Sequence, residues 1–261
     1  MSIVLPSLIG ANKPAGGGAF PNQYSVSFDG SDDYMSVTQD SAINISGDIS
    51  LSAWINRTST SGYNAIYTKR VVFGSMNYQF TINNSNGKIG LGHSGGSFVY
   101  NTTTTLSTNT WYHVAVTVSS GTAQFYVNGV VGDSFTGISI TATTQDLILG
   151  ATVGFNYFGG LIDEASIFNS ALSASDISTL RGGASAGTLG LPADISSLNP
   201  VAWWRMGDGS DGSGNADGTV VGGLPQIYNV AEDGSGNRIT GIDGSLTNIA
   251  SPNGIVTDVP S

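Results

Sequence analysis

The sequence predicts an all-β protein, an antiparallel sandwich or barrel. Three observations point there. Short stretches alternate apolar and polar residues with a period of two, turns rich in glycine and asparagine separate them at close spacing, and one segment alone carries convincing helix start and stop signals. Many short strands at regular spacing suit an antiparallel sandwich and not a βαβ fold.

In chain order, residues 1–23 form a Gly/Pro-rich arm, through Leu5-Pro6, Lys13-Pro14 and Gly16-Gly17-Gly18. Such a segment cannot make a core alone and is expected to be flexible or laid along a neighbour. Tyr24-Ser25-Val26-Ser27-Phe28 then places its apolar side chains on one face and its serines on the other. Leu51-Ser52-Ala53-Trp54-Ile55-Asn56 and Val114-Ala115-Val116-Thr117-Val118 read the same way. Asn86-Gly87 separates Tyr78–Ile82 from Lys88–Leu91. Ser119-Ser120-Gly121-Thr122 separates the Val118 strand from Gln124–Val127, and Asn128-Gly129 leads into Val130-Val131. These residue types tolerate the positive φ angles of tight hairpins.

One short helix is expected after Ser173. That serine caps the N-terminus, Asp176 falls at the third helical position, Ile177 and Leu180 share a face, and Gly182-Gly183 ends the turn. Residues 184–261 are loop-like and Gly/Asp-rich, apart from an apolar island at Val201–Met206 that reads as a strand. This tail is too poor in core residues to fold independently, so it is expected to pack on the sandwich or on a neighbouring subunit.

Composition removes several functions. Acids outnumber bases by 18 to 8, and the few Lys and Arg are scattered, so no basic patch exists to neutralise the phosphates of a nucleic acid. No window approaches the roughly 20 apolar residues of a membrane-spanning helix, so membrane insertion is not expected. Met1–Pro6 lacks the basic and long apolar stretches of a signal peptide. With 0 cysteines there is neither a disulfide nor a thiolate metal site.

Three segments carry a family resemblance. Phe28-Asp29-Gly30-Ser31-Asp32-Asp33-Tyr34 resembles the opening of laminin-G-like modules in the concanavalin A-like jelly-roll superfamily. Trp111–Val116 followed by Phe125–Gly129 is similar to their central hairpin. Gly160–Asn169 with Ala171-Leu172-Ser173 resembles their closing strand and short helix. The resemblance covers residues 24–183 and implies a two-sheet jelly-roll sandwich with the helix after the last strand. It also implies neighbouring first and last strands and a structural calcium nearby, for which Asp29, Gly30 and Asp163 are the candidate oxygen ligands. The alternative is that Asp29 makes a turn and Asp163 caps backbone amides of the adjoining loop. Beyond the module, Trp203–Gly209 and Gly214–Thr219 resemble a segment often found before such modules. Together with the arm, that layout resembles structural proteins of tailed bacteriophages.

Candidate chemistry is sparse. Related glucanases need two carboxylates on one face of a strand, about 5–5.5 Å apart for retention. Asp163-Glu164 is the nearest pair, and adjacent strand residues point to opposite faces. His93 and His113 are too few for a histidine-rich metal site, and His113 reads as a packed strand residue. A second acidic group, Asp208, Asp211, Asn215 and Asp217, lacks the alternation of an EF-hand loop and reads as a solvated turn. Sugar recognition needs exposed aromatic rings beside polar side chains. Tyr63, Asn64, Tyr100, Asn101, Phe155, Asn156 and Tyr157 lie in or near predicted loops and fit that chemistry, or equally cover for a core edge or a partner contact. Trp203 and Trp204 are docking-anchor candidates, with core packing as their alternative.

The leading expectation is therefore a non-enzymatic virion structural protein at the particle surface, either capsid decoration or tail fibre. Other virion proteins and further copies of itself would be its partners. Release by lysis would need no secretion signal. A carbohydrate-binding or adhesion module for host surface glycans is the alternative, and a glycoside hydrolase is the third reading.

Overall fold

The computed structural model describes residues 24–60, 62–70, 76–152 and 155–205, and beyond them the backbone of strands within 218–258. The arm of residues 1–23 and the group Asp208, Asp211, Asn215 and Asp217 lie outside the described residues, so their expected roles are not placed. The strands of the module are β1 (Tyr24–Asp29), β2 (Tyr34–Val37), β3 (Ile49–Arg57), β4 (Tyr63–Arg70), β5 (Met76–Asn83) and β6 (Lys88–His93). They continue with β7 (Ser97–Tyr100), β8 (Trp111–Ser119), β9 (Thr122–Val127), β10 (Val130–Thr136), β11 (Leu147–Leu149) and β12 (Gly159–Phe168). Helix α1 (Ala174–Thr179) and β13 (Ala202–Trp204) follow. The tail adds β14 (Gly218–Val221), β15 (Gln226–Glu232), β16 (Arg238–Thr240), β17 (Asn248–Ala250) and β18 (Val256–Asp258).

Two antiparallel sheets face each other as a jelly-roll sandwich. One has nine strands in the order β10-β9-β8-β3-β12-β1-β15-β16, with β13 beside β12; the other has seven, β14-β2-β11-β4-β5-β6-β7. The tail strands thus extend this chain's own sheets, β14 along β2 and β15 along β1. The period-two pattern explains the core. Val26, Phe28, Leu51, Ala53, Ile55, Val114, Val116 and Val118 point inward from the larger sheet, and meet Met35, Val37, Phe80, Ile82, Leu147 and Leu149 from the smaller.

The back of the larger sheet is also covered. Ala115, Tyr126 and Trp203 pack beneath Leu172, Ile177, Leu180 and Ile195, while Trp54 and Trp111 pack with Leu161 and Leu189. Helix α1 has the expected capping box: the Ser173 hydroxyl accepts from the Asp176 amide at 3.2 Å, and the Asp176 carboxylate accepts from the Ser173 amide at 2.9 Å. Buried Arg57 closes one end of the sandwich, donating to the carbonyls of Ser59 at 2.8 Å, Asn84 at 3.3 Å and Leu106 at 2.5 Å.

The two tryptophans are not docking anchors. Strand β13 pairs with β12, placing Trp204 opposite Ala165 and Trp203 opposite Ser166. Alternation sends Trp204, 0% exposed, between the sheets and Trp203, 5% exposed, beneath the helix. Both are consumed by the chain's own packing.

Candidate functional site

With the back of the nine-stranded sheet covered, the outer face of the seven-stranded sheet is where a site can form. Met35 and Val37 of β2 and Leu147 and Leu149 of β11 point inward, so Tyr34, Ser36 and Ile148 point out. Together with Arg70, Gln145 and Asp146 they line a cleft of about 310 Å³. A ring, a guanidinium, a carboxylate, a carboxamide and a hydroxyl converge there. This is the polar and aromatic mixture that recognises neutral, hydroxyl-rich ligands: the ring covers C–H faces and the planar groups pair with hydroxyls.

The walls are fixed from behind. Asp146 Oδ1 accepts the Gln39 amide at 2.9 Å. Buried Lys69 donates to Gln39 Oε1 at 2.6 Å and to the Gln145 carbonyl, tying both loops to β4. Burial pushes the Lys69 ammonium down to about 8, against the favourable charge of Asp146. Arg70 Nη1 donates to Gln79 Oε1 at 3.4 Å, and Gln79 Nε2 donates to Thr152 Oγ1 at 3.2 Å. That last contact, with the Ala65 amide donating to the Asn156 carbonyl at 3.2 Å, sets Thr152 and Asn156 against this outer face.

The predicted contact residues divide. Tyr63, at 42%, and Phe155, at 37%, are exposed, and Tyr100, Asn156 and Tyr157 are half-buried. Tyr63 and Tyr100 come together: their phenols share a hydrogen bond, and burial with that neighbour pushes Tyr100 up to about 12. Asn64 and Asn101 are buried and are corrected from contact to scaffold. Asn64 pairs with core residue Ile82, inside a strand and not a loop. The Asn101 side-chain oxygen accepts from the Asp133 amide at 2.9 Å and from the Thr103 hydroxyl at 2.9 Å. Sequence reasoning missed Tyr34, Arg70 and Asp146 as site residues. The alternation of Tyr34-Met35-Ser36-Val37 carried a signal for Tyr34; Arg70 and Asp146 reach the cleft only through strand pairing.

The acidic residues are also rearranged. Strands β1 and β12 are neighbours, as the resemblance implied, but the register sets Asp29 opposite Gly159 and Val26 opposite Ile162. Asp163 therefore lies four positions, about 13 Å, along β12 from Asp29's partner. The pair does not share a site. Asp163 is fully buried and its Oδ1 accepts the Glu164 amide at 2.8 Å. Instead, carboxylate oxygens of Asp29, Asp32 and Asp33 lie within 4.8 Å of one another. Desolvation, then the Asp29 and Asp32 charges, raise the Asp33 carboxyl, against the Asp29 amide that donates to it. Three crowded carboxylates in the Asp29–Asp33 turn fit a hard cation such as calcium, without Asp163.

Strict alternation fails at Asp163–Glu164, where a bulge interrupts the pairing with β3 and Glu164 takes φ +46°. The buried Glu164 carboxylate accepts from Trp203 Nε1 at 2.5 Å and lies 3.5 Å from Arg205 Nε. His113 is buried on the covered face of the larger sheet, with Nε2 2.8 Å from the Ser52 hydroxyl. Burial, then the Arg181 charge, push it down to about 3.

Residues 29–178, more than half of the chain, match the Laminin_G_3 profile of the concanavalin A-like lectin/glucanases superfamily, and the chain belongs to that family. Among solved structures, it is similar to a candidate carbohydrate-binding protein from Bacteroides ovatus. The TM-score is 0.61 at 21% identity, covering 80% of this chain and 60% of that one, so the chain spans less than two thirds of that protein. It is also similar to a heptameric SAP-like pentraxin from Limulus polyphemus, with TM-score 0.56, 16% identity, and coverage of 78% of this chain and 96% of that one. No curated protein sequence matches the chain.

Proposed function

We propose that this chain is a carbohydrate-binding module that holds glycans without cleaving them. The observation that carries the reading is the cleft on the uncovered outer face, where Tyr34 stands beside Arg70, Asp146, Gln145 and Ser36. The Bacteroides ovatus protein of similar fold, described as a candidate carbohydrate binder, supports it. So does the placement of the acids: Glu164 is engaged by Trp203 and Arg205, away from the cleft.

A glycan array probed with the purified chain tests this. The wild type retains at least one class of sugar, and Tyr34→Ala weakens that binding by about tenfold or more, the loss of one aromatic anchor. An array with no retained glycan, or a Tyr34→Ala variant that binds as before, would sink the reading. The phage resemblance adds a finer proposal: the module is displayed on a particle, with the arm of residues 1–23 as its attachment to other virion proteins. Deleting Met1–Pro21 should then abolish incorporation while leaving glycan binding intact. A truncated chain that still enters particles would refute the attachment role.

A further inference from the structure

Across the sheet from the cleft, at the β7 edge, the outer face of the seven-stranded sheet carries a second aromatic surface. Phe98 and Tyr100 are two residues apart on edge strand β7, so their side chains share a face. Strand pairing sets them opposite Gly92 and Gly90 of β6. Those glycines are required: a Cβ on Gly90 would come within 2.4 Å of the Tyr100 ring, and one on Gly92 within 2.7 Å of the Phe98 ring. With no side chains beneath them, the two rings settle across the sheet nearly parallel. Their planes differ by 13° and their centroids lie 6.1 Å apart. Tyr63, exposed at the start of β4, joins the Tyr100 phenol at the rim.

We infer that Phe98, Tyr100 and Tyr63 form a stacking shelf, a second subsite for the same glycan that occupies the cleft. The inference rests on the glycan-binding reading and names the ligand class: a flat, extended, β-linked polysaccharide. Three observations carry it. The two rings are nearly parallel over their glycines, which suits a ribbon whose sugar rings present their C–H faces in succession and does not suit a coiled α-linked chain. The shelf and the cleft share one outer face: the register lines Phe98 up with Gly92, Gln79, Thr68 and the cleft's Ile148, four strand spacings or about 19 Å across the sheet. Exposed Phe155 stands between them, beside Thr152 and Asn156, which bond to β5 and β4. An extended chain of several sugars spans that distance; a disaccharide does not. Two contacts on one ligand raise affinity with ligand length because the second binding event is intramolecular.

Calorimetric titration with cellobiose, cellohexaose and the α-linked maltohexaose tests the shelf. Leucine replaces both rings in the F98L/Y100L variant, which keeps apolar cover over Gly90 and Gly92 and so preserves folding; melting temperature checks this. Should that variant unfold, the single F98L variant is measured in its place. For the wild type, cellohexaose is expected to bind about tenfold or more tighter than cellobiose, with no such gain for maltohexaose. The variant keeps cellobiose binding and loses the length gain, whereas Tyr34→Ala weakens both. A length gain that survives the leucines, or a wild type without one, overturns the shelf and leaves the cleft standing. Array-positive protein that ignores both cello-oligosaccharides overturns the ligand class alone, and a protein that retains no glycan of any kind overturns cleft and shelf together.

Discussion

Asp33 is the residue at which burial and ionisation pull in opposite directions. Its carboxyl is raised by burial and by two neighbouring carboxylates, so the unfolded chain ionises first as pH climbs through the ordinary aspartate range. At neutral pH its charge costs stability. Asp33→Asn is therefore expected to raise the melting temperature in chelator, by about 2–4 °C for each kcal/mol recovered. Calcium should raise the wild type's melting temperature and leave the variant's unchanged. Equal shifts in both would remove the metal from this turn. His113 gives the second residue-scale prediction. Its folded value of about 3 lies below the ordinary 6.5, so the unfolded chain takes up the proton and stability is lost as pH falls below 6.5. Between pH 6.5 and 4.5 the loss should be on the order of 2–3 kcal/mol. Urea unfolding of His113→Gln across that window should be flatter; an unchanged slope would assign the proton uptake to another group.

Elements differ in how far they could be read from sequence, and α1 lies at the legible end. Its cap, its apolar pair and its glycine stop are neighbours in the chain, so local chemistry alone defines it. Ser173→Ala removes one arm of the capping box and should cost about 1 kcal/mol, read from chemical denaturation. A neutral result would mean that packing of Ile177 and Leu180 alone holds the helix. Strand β4 lies at the other end. A register irregularity between Ala65 and Tyr67 changes which side chains face the core, and buried Asn64, which the sequence placed in or near a loop, follows from it. Strand β12 has the same difficulty at Asp163–Glu164. Strict alternation predicts opposite faces there, and the bulge replaces that rule with a left-handed residue whose carboxylate meets Trp203.

For the whole molecule, coverage decides function. One outer face is closed by α1 and the chain after it, which leaves the opposite sheet to carry the cleft. The Trp203-Trp204 pair belongs to that closure. Trp204→Ala should cost about 3–5 kcal/mol in unfolding experiments, as expected for emptying a fully buried site. A variant of wild-type stability that fails only in assembly would restore the docking role. The sequence by itself determined the all-β class, the family motifs and the capped helix, because hydrophobic period, turn chemistry and caps act between residues a few positions apart. Only the tertiary structure decided that Tyr34, Arg70 and Asp146 share a cleft, that Phe98 and Tyr100 pack against glycines, and that Asp29 and Asp163 stay apart. Those outcomes depend on strand register and on bulges, which are set by packing between segments distant in the chain and leave no local trace.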